Sequence, residues 1–297
     1  METKYPFTPW PSLSSNGKQI STQDGTLFYF DCKPKNSASD PTLVFIHGLG
    51  DEADTWRHVI PLFNAKGYRC IAIDLPGFGR SIWHGKINVR RHADAVIEVI
   101  NDCGITGCNT VLVGSSMGCG IAELAATKRP DLIKSLILIC GCFPIKGSIN
   151  IGLVLFGLFG RKWYRNFRKD HEGAWKSLFP YYHDLENMNE EDKKFLRERV
   201  IARVESDNQE RGYFASLRSI TSDFVSVRGS LSRDIKKFNG KIDLIWGEHD
   251  RIMPKEKTKS LLKLRPDATL TTITDVGHHP QTEKPKETVD AILSLIK

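Results

Sequence analysis

Short, continuous apolar runs alternate with helix-periodic segments along this chain, and that alternation constrains its fold more than any other feature. Leu43-Val44-Phe45-Ile46, Cys70-Ile71-Ala72-Ile73, Val111-Leu112-Val113, Leu136 to Ile139, Ile242 to Trp246 and Thr269 to Ile273 each read as a strand. A strand that is apolar at successive positions must bury both faces, which a parallel sheet covered by helices provides. Helical patterns at about 54–64, 88–102, 116–128, 255–264 and 282–296 supply the crossovers. Ile20 to Thr22 and Leu27 to Asp31, on either side of Asp24-Gly25, read as an opening hairpin. The expectation is an α/β fold: a mostly parallel eight-strand sheet with helices on both faces. The alternation stops between roughly Phe143 and Arg228, where helical periodicity dominates, as in Glu190 to Val204. A helical cap (144–228) is therefore expected after the sixth strand, with residues 1–143 and 229–297 as the two parts of the core.

The chain has 297 residues, 40% of them hydrophobic and 26% charged, which suits one large soluble α/β unit. Its net charge of +7 raises the question of nucleic acid. The cations are interleaved with acids, as in Glu190-Glu191-Asp192-Lys193-Lys194, and no basic module of a nucleic-acid binder is present, so no such partner is expected. The seven cysteines are an odd number, lie between Cys32 and Cys142, and lack metal-ligand spacing. They read as reduced core thiols of a cytoplasmic protein, with no metal site. Met1-Glu2-Thr3-Lys4 leads into no apolar stretch of signal-peptide length, and no run approaches the ~18 apolar residues of a membrane span.

Chemistry enters at Gly114-Ser115-Ser116-Met117-Gly118. A strand runs directly into this pentapeptide and a helix-like segment follows it. A serine at the apex of such a strand–turn–helix is held with its hydroxyl exposed, as a nucleophile requires, so Ser116 is the expected nucleophile and Ser115 a flanking residue. The hydroxyl needs a base, and the base an orienting acid. Trp246-Gly247-Glu248-His249-Asp250 closes the seventh strand, and Asp275-Val276-Gly277-His278-His279-Pro280 follows the eighth. His278 is the expected base, with His279 second to it and His249 an oriented neighbour. Asp250 is the expected acid; Asp243 lies inside a strand and Glu248 comes early in its loop. Asp275 stays open as the alternative, since a loop acid also serves simply to satisfy backbone donors. The sixth strand ends in Ile139-Cys140-Gly141-Cys142, which carries no acid. The third ends in His47-Gly48-Leu49-Gly50, where the backbone N–H of Leu49 is expected to pair with that of Met117 as an oxyanion hole. His47 itself reads as a structural hydrogen-bonding residue.

In their order along the chain, His47-Gly48, Asp74-Leu75-Pro76-Gly77-Phe78-Gly79-Arg80-Ser81, Gly114 to Gly118, Gly247 to Asp250 and Gly277-His278 resemble the capped α/β-hydrolase superfamily. The likeness covers the core, about 20–143 and 229–297, and leaves out the insertion. It implies the roles given above, and it makes Asp74 to Ser81 a structural turn at the edge of the site. Epoxide hydrolases and haloalkane dehalogenases of this superfamily carry an aspartate nucleophile, and the serine here argues against both. Cys119 departs from the pattern, standing where many relatives have a second glycine after Gly118. The expected activity is esterase- or lipase-like cleavage of carboxylic esters through an acyl-enzyme, with no metal or organic cofactor. The same triad also supports C–C or amide hydrolysis or lyase chemistry, and a ligand receptor could retain it without turnover.

Within the insertion, the apolar segment Ile149 to Gly160 runs into Arg161-Lys162-Trp163-Tyr164-Arg165-Asn166-Phe167-Arg168-Lys169. One reading makes residues 149–160 a wall of the acyl pocket, consistent with a small ester bearing an apolar acyl group. The other makes the segment interfacial, with apolar residues in a lipid boundary and cations on its headgroups. The pocket wall is the favoured expectation.

Overall fold

The apolar runs pair into one eight-stranded sheet in a computed structural model that describes residues 6–36, 39–143 and 151–296. Strands β1 (Gly17–Thr22) and β2 (Gly25–Cys32) form the expected antiparallel hairpin. The remaining strands are β3 (Ser39–Ile46), β4 (Tyr68–Asp74), β5 (Thr110–Ser115), β6 (Ile133–Ile139), β7 (Lys241–Gly247) and β8 (Thr269–Ile273). β2 joins β4 antiparallel, and from there the sheet is parallel, in the order β1-β2-β4-β3-β5-β6-β7-β8. All six residues of β5 are buried, as its unbroken apolar run requires.

Helices follow the expected crossovers, with local differences. A 3₁₀ turn, Ala53–Trp56, precedes α1 (Val59–Ala65). Then come α2 (Val89–Asp102), capped by the Asn88 side chain, and α3 (Met117–Lys128). The helical insertion after β6 contains α4 (Ile151–Phe159), α5 (Arg161–Asn166), α6 (His171–Lys176), α7 (Glu190–Glu205) and α8 (Asp207–Lys237). The expected opening of the cap, 144–150, lies outside the described residues. After β7 come α9 (Lys259–Leu264), α10 (Pro280–Glu283) and α11 (Pro285–Leu295). The single helix expected at the carboxyl end is thus two, because Pro285 has no N–H to continue α10 yet fits the first turn of α11.

The 31-residue α8 carries the chain from cap to core without a break. Its first half packs Phe214 with Tyr164, Val200 and Val204, while Leu231 and Ile235 join the main core. Ser219 Oγ accepts the Val89 N–H at 2.8 Å, and Ser216 Oγ meets His92 Nε2 at 2.8 Å, tying α8 to the first turn of α2.

A buried ion cluster holds α7 to the core. Asp192, whose N–H is capped by Asn189, lies 2.9 Å from Arg57 Nε and 2.7 Å from His58 Nε2. Burial works against its charge, but His58 and Arg57 outweigh burial and hold the carboxyl below its ordinary range. Arg57 is 1% exposed, so Asp192→Ala would leave a guanidinium buried without its counter-ion. That change should cost about 3 kcal/mol in urea unfolding. A loss below about 1 kcal/mol would mean that water screens the pair as it does at a surface. Because the folded pKa is depressed, the stabilisation is complete above about pH 4, where unfolded aspartate ionises, and is lost as pH falls below it.

Candidate active site

The ends of β3, β5, β7 and β8 face the same edge of the parallel sheet, so the loops after them converge. Ser116 follows β5 at the first position before α3 with φ +55° and ψ −116°, a conformation that L residues avoid and that a sharp strand-to-helix turn imposes. The turn has no room for side chains beside the serine. A Cβ on Gly114 would sit 2.5 Å from the Gly118 carbonyl oxygen, and one on Gly118 would sit 2.3 Å from that of Ile46. Cys119 needs no such exemption: its thiol fills a buried gap and donates to the carbonyls of Gly114 (3.2 Å) and Ile139 (3.4 Å). Burial holds that thiol protonated, far above its ordinary pKa.

His278 Nδ1 lies 2.8 Å from Asp250 Oδ2, and both side chains are 1% exposed. Asp250 Oδ1 accepts the N–H groups of Ile252 and Met253, each at 2.9 Å, which fixes the carboxylate in place. The other acids of these loops are engaged elsewhere. Asp275 is exposed and lies 3.4 Å from Lys284 Nζ. Asp243 accepts from Thr269 inside the β7–β8 ladder. Glu248 accepts the Asp275 N–H. His249 stacks on His183 with centroids 4.1 Å apart, and His279 stacks on Tyr182 while its Nδ1 contacts Gln281. Burial pulls His279 down to about 4, against the pull of Asp51, so its ring is neutral at pH 7. His278 Nε2 is buried and has no hydrogen-bond partner among the described residues.

The loop after β3 lies against the elbow, and a Cβ on Gly48 would be 3.2 Å from that of Ser116. His47 bridges backbone groups, with Nδ1 2.7 Å from the Gly48 oxygen and Nε2 accepting the Leu75 N–H at 3.0 Å. Met117 opens α3, so its N–H is among those that helix geometry leaves without an intrahelical acceptor. Asp74 to Ser81 forms a tight turn in which Asp74 pairs with Arg80 and accepts the Ala53 N–H.

Several residues that local pattern does not single out complete the surroundings. Arg203 on α7 pairs with Asp51 and with Glu52 at 2.8 Å. Burial opposes both carboxylate charges; Arg203 still holds Asp51 below its ordinary range, while Glu52 lies above it. Glu283 accepts the N–H of Gly277 at 2.8 Å and of His183 at 2.6 Å, and the Tyr181 carbonyl accepts the His278 N–H at 2.7 Å. The histidine loop is thereby fastened to the cap. These cap contacts join residues about 100 or more positions apart in sequence, which removes any local signal.

Between cap and core is a cavity of about 350 Å³ whose walls include Leu49, Phe156, Tyr164, Tyr181, Tyr213 and His279. Of the apolar segment expected to line a pocket, Phe156 does so. Its neighbours Leu155, Leu158 and Phe159 face outward, while Ile149 and Asn150 lie outside the described residues.

A parallel sheet in this strand order, with a helical insertion after β6 and its functional loops at one edge, defines an α/β hydrolase type of fold. The chain belongs to the alpha/beta hydrolase fold family, whose sequence pattern matches residues 41–285. It is 30% identical over 285 residues to the uncharacterized hydrolase YugF of Bacillus subtilis (strain 168), covering 93% of this chain and 96% of that protein. It is 27% identical to Lipase 3 of Moraxella sp. (strain TA144), covering 86% of this chain and 76% of the lipase. Among solved structures, a thermophilic esterase from Thermogutta terrifontis shares the fold with a TM-score of 0.74 at 20% identity, covering 94% of this chain and 97% of the esterase.

Proposed function

We propose that the protein is a serine hydrolase that cleaves carboxylic esters through an acyl-enzyme, with Ser116 as nucleophile, His278 as general base and Asp250 as orienting acid. The buried His278 ring carries this reading: a carboxylate lies 2.8 Å from Nδ1, and Nε2 has no partner among the described residues. A carboxylate at Nδ1 keeps the proton there, so Nε2 retains its lone pair for the serine hydroxyl. In the proposed cycle Nε2 takes the Ser116 proton as Oγ bonds to the ester carbon, and the carbonyl pair moves onto oxygen. The N–H groups of Leu49 and Met117 hold that charge. Collapse breaks the bond to the alcohol, which leaves with the proton from His278. Water then repeats the sequence on the acyl-enzyme, releasing the carboxylic acid. No step calls for a metal or organic cofactor.

Likeness to a lipase supports an ester substrate, and the aromatic walls of the cavity support an apolar acyl group. On p-nitrophenyl esters, kcat/KM should rise by about fourfold for each added methylene that the cavity encloses, since each contributes about 0.8 kcal/mol. Phe156→Asp should flatten that series, because the unpartnered charge would face the chain. Leu155→Asp should keep it, as Leu155 is 50% exposed and lies outside the cavity. A series equally flat in both variants, with circular dichroism unchanged, would remove the cavity as the acyl site.

A further inference from the structure

Helices α4 and α5 form nearly one rod, because Gly160 between them keeps right-handed helical angles. The two sides of this rod differ in what they meet. On the inner side Phe156 packs on Phe214, Gly157 lies against Leu217 and Arg218, and Tyr164 is buried. On the outer side Leu155, Leu158, Phe159 and Trp163 recur at helical spacing with exposures of 50, 54, 75 and 54%. Seven large hydrophobic side chains are strongly exposed among the described residues, and five of them lie on this rod. Trp163 also lines the cavity and packs edge-on against Phe156, with centroids 5.5 Å apart, so the exposed face continues into the cavity wall.

The charge of the segment is one-sided. From Ile151 to Lys169 there are five cations and no acid. Arg165 and Arg168 are paired with Glu210 on α8, whereas Lys162 and Lys169 are exposed and form no ion pair among the described residues. Large apolar side chains on an outward helix face, flanked by unpaired lysines, match a helix that lies in the headgroup boundary of an anionic bilayer. A second copy of the chain fits less well, since a two-fold contact would set the same cations against each other. No helix among the described residues is long and apolar enough to cross a membrane.

We infer that the outer face of α4 and α5 docks this protein on anionic phospholipid surfaces, holding the cavity mouth at Trp163 against the acyl layer. The docking does not depend on the ester-hydrolase reading. It is tested by flotation of the full chain with vesicles of phosphatidylcholine plus phosphatidylglycerol, compared with phosphatidylcholine alone. Protein should float with the anionic vesicles and be weakened by salt. Ser116→Ala should float as the parent does, which separates this result from any failure of the catalytic assignment. Phe159→Asp with Leu155→Asp should lower vesicle affinity by about tenfold or more, with the melting curve and short-ester turnover unchanged. Lys162→Gln with Lys169→Gln should lower it roughly thirtyfold on anionic vesicles. Absence of flotation, equal binding to both vesicle types, or binding indifferent to the aspartate pair would each overturn the inference. So would a dimer that the aspartate pair dissociates in the absence of lipid.

Discussion

Ser116→Ala should lower turnover of a short p-nitrophenyl ester by about 10⁴-fold or more, with a far smaller change in KM. The reason is geometric. Ser116 is the residue that the elbow forces to φ +55° after β5, and alanine there keeps the turn while removing the oxygen that would bond to the ester carbon. A fluorophosphonate should add to Ser116 and to no other residue. Ser115 is the control, because it is 1% exposed and its hydroxyl lies 3.5 Å from Gln281 rather than in the open. Labelling at Ser115, or retention of turnover in the Ser116 variant, would remove the serine assignment while leaving the fold and family untouched.

Asp250→Asn should lower kcat by about 10⁴-fold, as loss of the triad acid does elsewhere. The hydrogen bonds of Asp250 say why an amide fails. Oδ1 already accepts two backbone N–H groups, so the oxygen of an asparagine must stay on that side and its NH₂ would face His278. An N–H donor at Nδ1 forces the imidazole proton onto Nε2, the nitrogen proposed above to accept the serine proton. Asp275→Asn should cost less than about tenfold, because Asp275 is exposed and its side chain lies 3.4 Å from Lys284 Nζ. Steady-state kinetics on both variants gives the ranking, and the reverse order would shift the acid to Asp275.

Much of this architecture was legible in local pattern. The apolar runs of β3 to β7 were legible because a strand buried on both faces writes its burial directly into consecutive side chains, whereas the edge strands β1 and β8 are largely exposed or half-buried. The elbow was equally legible, since glycines at 114 and 118 are demanded by backbone contacts within a few residues and across one adjacent strand. The choice between Asp250 and Asp275 was not. Both stand in loops at the same sheet edge, and only the path of each loop decides which carboxylate meets the imidazole.

The cap shows the limit most clearly. Helix α4 is apolar on every side, so its periodicity carries no information about which face turns inward. Contact of Gly157 with α8 turns Phe156 toward the cavity and leaves Leu155 and Phe159 in solvent. The pairing of Arg203 with Glu52 spans 151 residues, a separation over which charge pattern predicts nothing. Local sequence thus specified most strands, the strained serine and the loops that carry Asp250 and His278, because steric and burial requirements there act between near neighbours. Which carboxylate faces the histidine, which helix face lines the cavity and which charges neutralise each other were decided only when distant segments packed together.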